Sequence, residues 1–180
     1  MQLPILNILN KLPYMIICSL SICIVLNIVL LYRKKKCKLY KYILTFIFII
    51  YIQIVYEVSF GISGGVTYSL ERHKPNLIPF ADLVRGYEMG IKNMLKQVVL
   101  NVILYCPLGF LLPLFSDKLK KITAVILVSL FTSLIIEVLQ YYVGRSTDID
   151  DIIFNVCGAT IGYYFYLIFI KCIVWFTNDG

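Results

Sequence analysis

ITAVILVSLFTSLIIEVLQYYV, residues 122–143, carries a single charged side chain, Glu137, in a run that is otherwise mostly apolar. A helix of about 20 residues, rising about 1.5 Å per residue, crosses the hydrocarbon core of a bilayer. The apolar positions run together rather than alternating, so the stretch reads as a helix and not as a barrel strand. Four other runs have the same character, at 14–32, 42–60, 95–115 and 152–175. Together they predict an all-α integral membrane protein, a bundle of about five transmembrane helices.

Composition supports this reading. The chain of 180 residues is 60% hydrophobic and 15% charged, whereas soluble domains are about 45–50% apolar and about 25% charged. A small soluble domain leaves much of its surface exposed and could not hide so much apolar area. With 14 Tyr and 11 Phe, the chain is also far too aromatic for a disordered one. The 17 Lys and Arg against 10 Asp and Glu give +7. Six of the basic residues, Arg33, Lys34, Lys35, Lys36, Lys38 and Lys41, sit between the first two apolar runs. This placement points to a cytoplasmic loop facing anionic lipid, not to nucleic acid. Five of the six cysteines lie in apolar runs, and none has CxxC spacing. They read as small apolar side chains rather than a disulfide frame or zinc site.

Basic residues also set the expected orientation. Lys118, Lys120 and Lys121 follow the third run, while the loop after the fourth combines Arg145 with Asp148, Asp150 and Asp151. The first and third loops are therefore expected in the cytoplasm, the N-terminus outside, and the C-terminus inside. Arg72, Lys74, Arg85 and Lys92 in the second loop run against this orientation. That loop opens with Gly61-Ile62-Ser63-Gly64-Gly65, a flexible exit. It continues with Asn76-Leu77-Ile78-Pro79-Phe80, whose apolar residues suggest a re-entrant or interfacial segment between the second and third spans. The expected organisation is two N-terminal spans with a basic loop (1–60), a membrane domain (61–175) and a short tail (176–180).

Polar residues inside the spans carry the functional signal, because a charge at a helix centre costs at least about 2.5 kcal/mol in the membrane. Glu137 and Gln140 are three apart and share a helix face. Asn101 precedes Pro107 in the third span. Asp148, Asp151 and Asn155 fall on one stripe if the fifth helix starts early. Gln53 and Glu57 form another stripe in the second span. Span order alone brings all of these groups toward one leaflet. A carboxylate such as Glu137 in that setting either pairs or takes up a proton. Arg145 lies eight residues beyond it, roughly 12 Å along a helix, so direct pairing needs the loop to fold back. For the three aspartates, solvated loop acids or helix N-terminal caps are the simpler alternative. His73, the only histidine, reads as a solvated side chain. Pro107, Gly109 and Pro113 are expected to interrupt the third span. Gly158 and Gly162 form a GxxxG suited to close helix packing or to contact with a second copy in a homodimer. No metal site is demanded by the spacing, and no cofactor is indicated.

The same residues resemble a family. NVILYCPLGFLLP (101–113) resembles the N-x-x-x-F/Y-x-P-x-G-F-L block of the VanZ-like family, and SLIIEVLQ (133–140) its S-x-x-x-E-x-x-Q block. RSTDIDDIIFNVCGATIGY (145–163) resembles its R-x-x-D-x-D-D-x-x-x-N-x-x-G-x-x-x-G block, and NLIPF (76–80) its N-L-x-P-F element. The four blocks occur in the family's order across residues 76–163. The resemblance implies a multi-pass protein of the bacterial cell membrane, in a family associated with resistance to the glycopeptide teicoplanin. It does not imply a particular reaction.

Two functions follow as expectations. One is an enzyme that modifies a lipid-linked or surface envelope glycopolymer. Glu137 would transfer the proton, Asp148 or Asp151 would serve as base or cation ligand, and Arg145 would hold a phosphate or carboxylate. Asn76, Asn101, Gln140 and Asn155 would bind substrate. The other is a non-catalytic protein whose crevice binds a lipid head group or the antibiotic's acyl tail. Membrane lipids are partners in both. A transporter would show internal repeats, and the sequence has none.

Overall fold

The computed structural model describes residues 4–32, 38–60, 74–88 and 90–178. The basic residues 33–36, Cys37, the 61–65 segment and His73 lie outside the described residues. The chain divides into two compact units, Met1–Thr67 and Tyr68–Gly180.

The first unit is a hairpin of α1 (Pro4–Tyr32) and α2 (Leu39–Phe60). Polar side chains link its two helices at intervals. Tyr42 donates to Asn27 Oδ1 at 3.3 Å, Gln53 Nε2 donates to Ser19 Oγ at 2.8 Å, and Lys11 Nζ pairs with Glu57 Oε1 at 2.6 Å. Gln53 and Glu57 therefore have partners inside this hairpin.

The second unit contains α3 (Ala81–Glu88), α4 (Ile91–Phe115), α5 (Ile122–Tyr142) and α6 (Ile149–Asn178), with a 3-10 turn at Asp117–Leu119. Among the described residues, five helices are long and apolar enough to cross a membrane. The expected all-α membrane bundle is thus the observed one. Its surface is inverted relative to a soluble protein. Leu127, Phe131, Ile168 and Trp175 are exposed, whereas Ser129, Ser133, Glu137 and Asp150 are buried. Such a surface is solvated by hydrocarbon, and polar groups gather inside where they find hydrogen bonds.

Pro107 and Pro113 do not interrupt the third span, contrary to the sequence expectation, because α4 continues through both. A broken helix would expose several backbone groups to hydrocarbon, whereas a proline within a continuous helix removes one bond locally.

Helices α4 and α6 run parallel and pack backbone against backbone. A Cβ built on Gly109 would lie 1.8 Å from the Ala159 carbonyl oxygen. One on Gly158 would lie 2.3 Å from that of Val102, and one on Gly162 would lie 1.9 Å from that of Cys106. The GxxxG stripe of α6 therefore faces α4 of its own chain. On α5, Val125, Ser129, Ser133 and Glu137 recur every four residues and form the buried stripe. Small serines at 129 and 133 let this helix approach closely as well.

Candidate functional site

The site lies at the end of the second unit where α4 and α6 begin and α5 finishes. Helix α5 stops in a tight reversal. Gly144 takes φ +79, a left-handed conformation that costs glycine nothing. The Gly144 N–H donates to the Tyr141 carbonyl and the Arg145 N–H to the Gln140 carbonyl at 2.9 Å, the paired bonds of a Schellman ending. This reversal folds the loop back over the last turn of α5. Arg145 is brought close enough for its charge to act on Glu137, together with the charges of Asp151 and Asp148.

Asp148 begins α6. Its Oδ1 accepts the Asp150 N–H at 3.1 Å, the bond of an N-cap. Its own backbone N–H donates to Glu137 Oε2 at 2.9 Å. Glu137 is only 2% exposed, so a buried carboxylate is tied directly to the first turn of the neighbouring helix. The Thr147 hydroxyl adds a 3.3 Å bond to the Glu137 carbonyl.

Residues 74–80 lie across this junction as a strap. Asn76 forms an isolated parallel bridge with Asp148, with bonds of 2.9 Å to the Thr147 carbonyl and 3.1 Å from the Ile149 N–H. The Asn76 amide also reaches both Asp148 carboxylate oxygens at 3.3 Å. Asp150, 0% exposed, accepts from the N–H groups of Phe80 and of Leu83, the latter at 3.3 Å. It therefore caps α3 from a distance and holds Phe80 in its left-handed conformation, φ 64.

Asp151 turns the other way, toward α4. Its Oδ1 accepts from Asn101 Nδ2 at 2.5 Å and from Gln97 Nε2 at 3.5 Å. One turn deeper lies a second polar layer. Asn155 Nδ2 donates to Ser133 Oγ at 2.9 Å, and the Tyr105 hydroxyl faces Thr132 and Ser133. Each helix contributes a pair four residues apart: Asn101 and Tyr105, Ser133 and Glu137, Asp151 and Asn155.

The structure thus brings Asn76, Asn101, Glu137, Arg145, Asp148 and Asp151 to one end of the second unit. Gln140 is buried in the last turns of α5, and Asn155 sits a turn deeper, against Ser133. Gln97 and Thr147 were not singled out in the sequence, and Tyr105 and Ser133 stood there only as positions of the family blocks, with no role assigned. Gln97 stands four residues before Asn101 and Ser133 four before Glu137, so helical spacing was the available signal. Among the described residues, no group of three or more His, Cys, Asp or Glu converges as metal ligands do.

Comparison with known proteins adds one match. A family model described as VanZ/LLP1 matches residues 39–170, from the first residue of α2 into α6. No curated protein and no solved structure matches the chain.

Proposed function

The chain belongs to the VanZ/LLP1 family, and from that premise we propose that it acts at the outer leaflet on a lipid-linked or surface component of the bacterial envelope, lowering susceptibility to teicoplanin-type glycopeptides. The observation that carries this reading is the pairing of two carboxylates with different surroundings. Glu137 is buried and accepts a backbone N–H. Asp151 is partly exposed and held by the amides of Asn101 and Gln97. Carboxylates in contrasting environments at one mouth suit an acid and a base.

In this reading Glu137 moves the proton and Asp151 is the base. Arg145, folded back over α5, receives the anionic part of the substrate. Asn101 orients Asp151. Asp148, engaged as an N-cap, positions Glu137 through its backbone. Asn76 ties the strap to that cap, and Gln140 lines the wall beside Glu137.

Glu137→Gln tests the reading, because the amide oxygen can still accept the Asp148 N–H. The variant is expected to insert at wild-type level and to lose turnover by about 100- to 10,000-fold, the range for removing a proton-transfer group. Untargeted mass spectrometry of lipids and wall polymers, in cells carrying either chain, measures this alongside teicoplanin susceptibility. Unchanged profiles and unchanged susceptibility in the variant would rule the reading out. A second reading, recognition of a lipid head group without conversion, draws support from the many amides at the mouth. Lipid retained by the purified protein, with no product formed, distinguishes it.

A further inference from the structure

The side of the 74–80 strap and of α3 that faces away from the bundle is apolar and has no part in the proposed chemistry. Leu77 and Ile78 are 67% and 70% exposed, and Phe80, Val84 and Tyr87 are each at least 50% exposed. The backbone of the same stretch is turned inward. Asn76 is bridged to Asp148, and the N–H groups of Phe80 and Leu83 donate to Asp150. At about 100° per residue, α3 has three sides. Leu83 and the buried Gly86 face the bundle, where a Cβ built on Gly86 would lie 3.2 Å from Met94 Cα. Val84 and Tyr87, three apart, share a second side, and the exposed Arg85 and Glu88 lie on a third. Water suits the third side and leaves the second without a fitting solvent.

Depth decides what covers it. The Asp150 bonds fix the start of α3 to the first turn of α6, and Gly86 fixes its other half to Met94 of α4. The membrane-crossing stretches of these two helices begin at Ile149 and at Met94. Helix α3 therefore lies across the two places where the chain meets hydrocarbon, at the depth of lipid head groups. Lys74, Lys92 and Lys96 are exposed near that level and complement lipid phosphates. Tyrosine, here Tyr87, is also enriched at that level. We propose that Leu77, Ile78, Phe80, Val84 and Tyr87 form an interfacial anchor, inserted among the phospholipids between head groups and upper acyl chains, beside the mouth of the site. The backbone ties to the α6 cap keep this stretch at the surface, so it does not re-enter toward the bilayer centre. The anchor sets the mouth at head-group depth. It rests on placement alone and stands whether or not Glu137 transfers a proton.

Spin labels test the anchor in the full chain, with its native cysteines replaced by alanine, in vesicles of phosphatidylcholine and phosphatidylglycerol. Ile78→Cys and Val84→Cys carry the label in turn. Glu88→Cys and Ser146→Cys, both at exposed positions, are the water-side references, and Phe131→Cys, exposed in the middle of α5, is the deep one. Labels at 78 and 84 are expected to be several-fold less accessible to a water-soluble nickel chelate than those at 88 and 146. They are also expected to be reached by lipid-soluble oxygen, at a depth shallower than 131. Chelate access equal to that at 146 overturns the anchor, because the face is then in water. A depth matching 131 overturns it in favour of re-entry. Protection from both reagents overturns it in favour of a protein cover, whether a second copy or another chain. The wild-type chain gives a second measurement that needs no variant to fold. A phospholipid with a photoactivatable diazirine near its glycerol is expected to label the 77–87 segment, and an unlabelled segment overturns the anchor also. Neither readout depends on turnover, so the anchor and the proposed reaction fail separately.

Discussion

Neighbouring side chains on a helix point about 100° apart, and at the start of α6 that rotation sends Asp150 toward α3 and Asp151 toward α4. Asp150 takes two backbone N–H groups and is completely buried. Removing it leaves two donors unpaired, at about 1–3 kcal/mol each. Asp150→Ala is therefore expected to lower the melting temperature of the detergent-purified protein clearly. Asp151 meets the side-chain amides of Asn101 and Gln97, and Asp151→Asn keeps their geometry within reach. That variant is expected to melt close to wild type and to lose the envelope phenotype. If Asp151→Asn is the more destabilising of the two, the division of roles between them is wrong. Sequence spacing could place both acids at a helix start. It could not say which one points at a backbone, because that depends on where the 74–80 strap crosses.

At the scale of elements, the α4–α6 pair is the rigid part of the second unit. Its glycines let carbonyls and Cα atoms meet with no side chain between them. A methyl group added at Gly162 would overlap the Cys106 carbonyl, and backbone cannot move aside as a flexible side chain can. Gly162→Ala is expected to cost at least about 1–3 kcal/mol, the usual penalty for overpacking, measured by thermal unfolding in detergent. The same substitution at Cys157, which is exposed on the adjacent face, is expected to be nearly silent. The GxxxG signal was legible in the sequence, but its partner was not: a stripe of small residues reads the same whether it meets a helix of its own chain or of another copy. The helix boundaries likewise moved. The sixth helix begins at Ile149 rather than 152, because Asp148 supplies the cap, and α4 begins at Ile91 rather than 95.

For the whole molecule, the carboxylate cluster and the lysines of the 117–121 turn lie at opposite ends of α4 and α5. Tyr163, toward the far end of α6, donates to the Lys120 carbonyl at 2.9 Å, so α6 spans the same distance. By the positive-inside rule the lysines are expected in the cytoplasm and the cluster outside. Cysteine labelling checks this in a chain whose native cysteines are replaced by alanine. Ser146→Cys, at an exposed position in the α5–α6 loop, is expected to react with a membrane-impermeant maleimide in intact cells. Lys118→Cys is expected to react only after permeabilisation. The reverse pattern would place the site in the cytoplasm.

What the amino-acid sequence determined by itself was the solvent of this protein, the number of its spans, its family, and the end of the bundle at which its polar side chains gather. Those are properties of hydrophobic length and of order along the chain, and both are local. Tertiary structure alone decided which carboxylates accept from backbone N–H groups and which meet side-chain amides, and that the glycines of α6 pack on α4. It also brought Tyr105, Ser133 and Asn155 together one turn beneath Glu137. A hydrogen bond is satisfied or broken over a fraction of an ångström, and residues fifty or more positions apart meet on that scale only once the helices have packed.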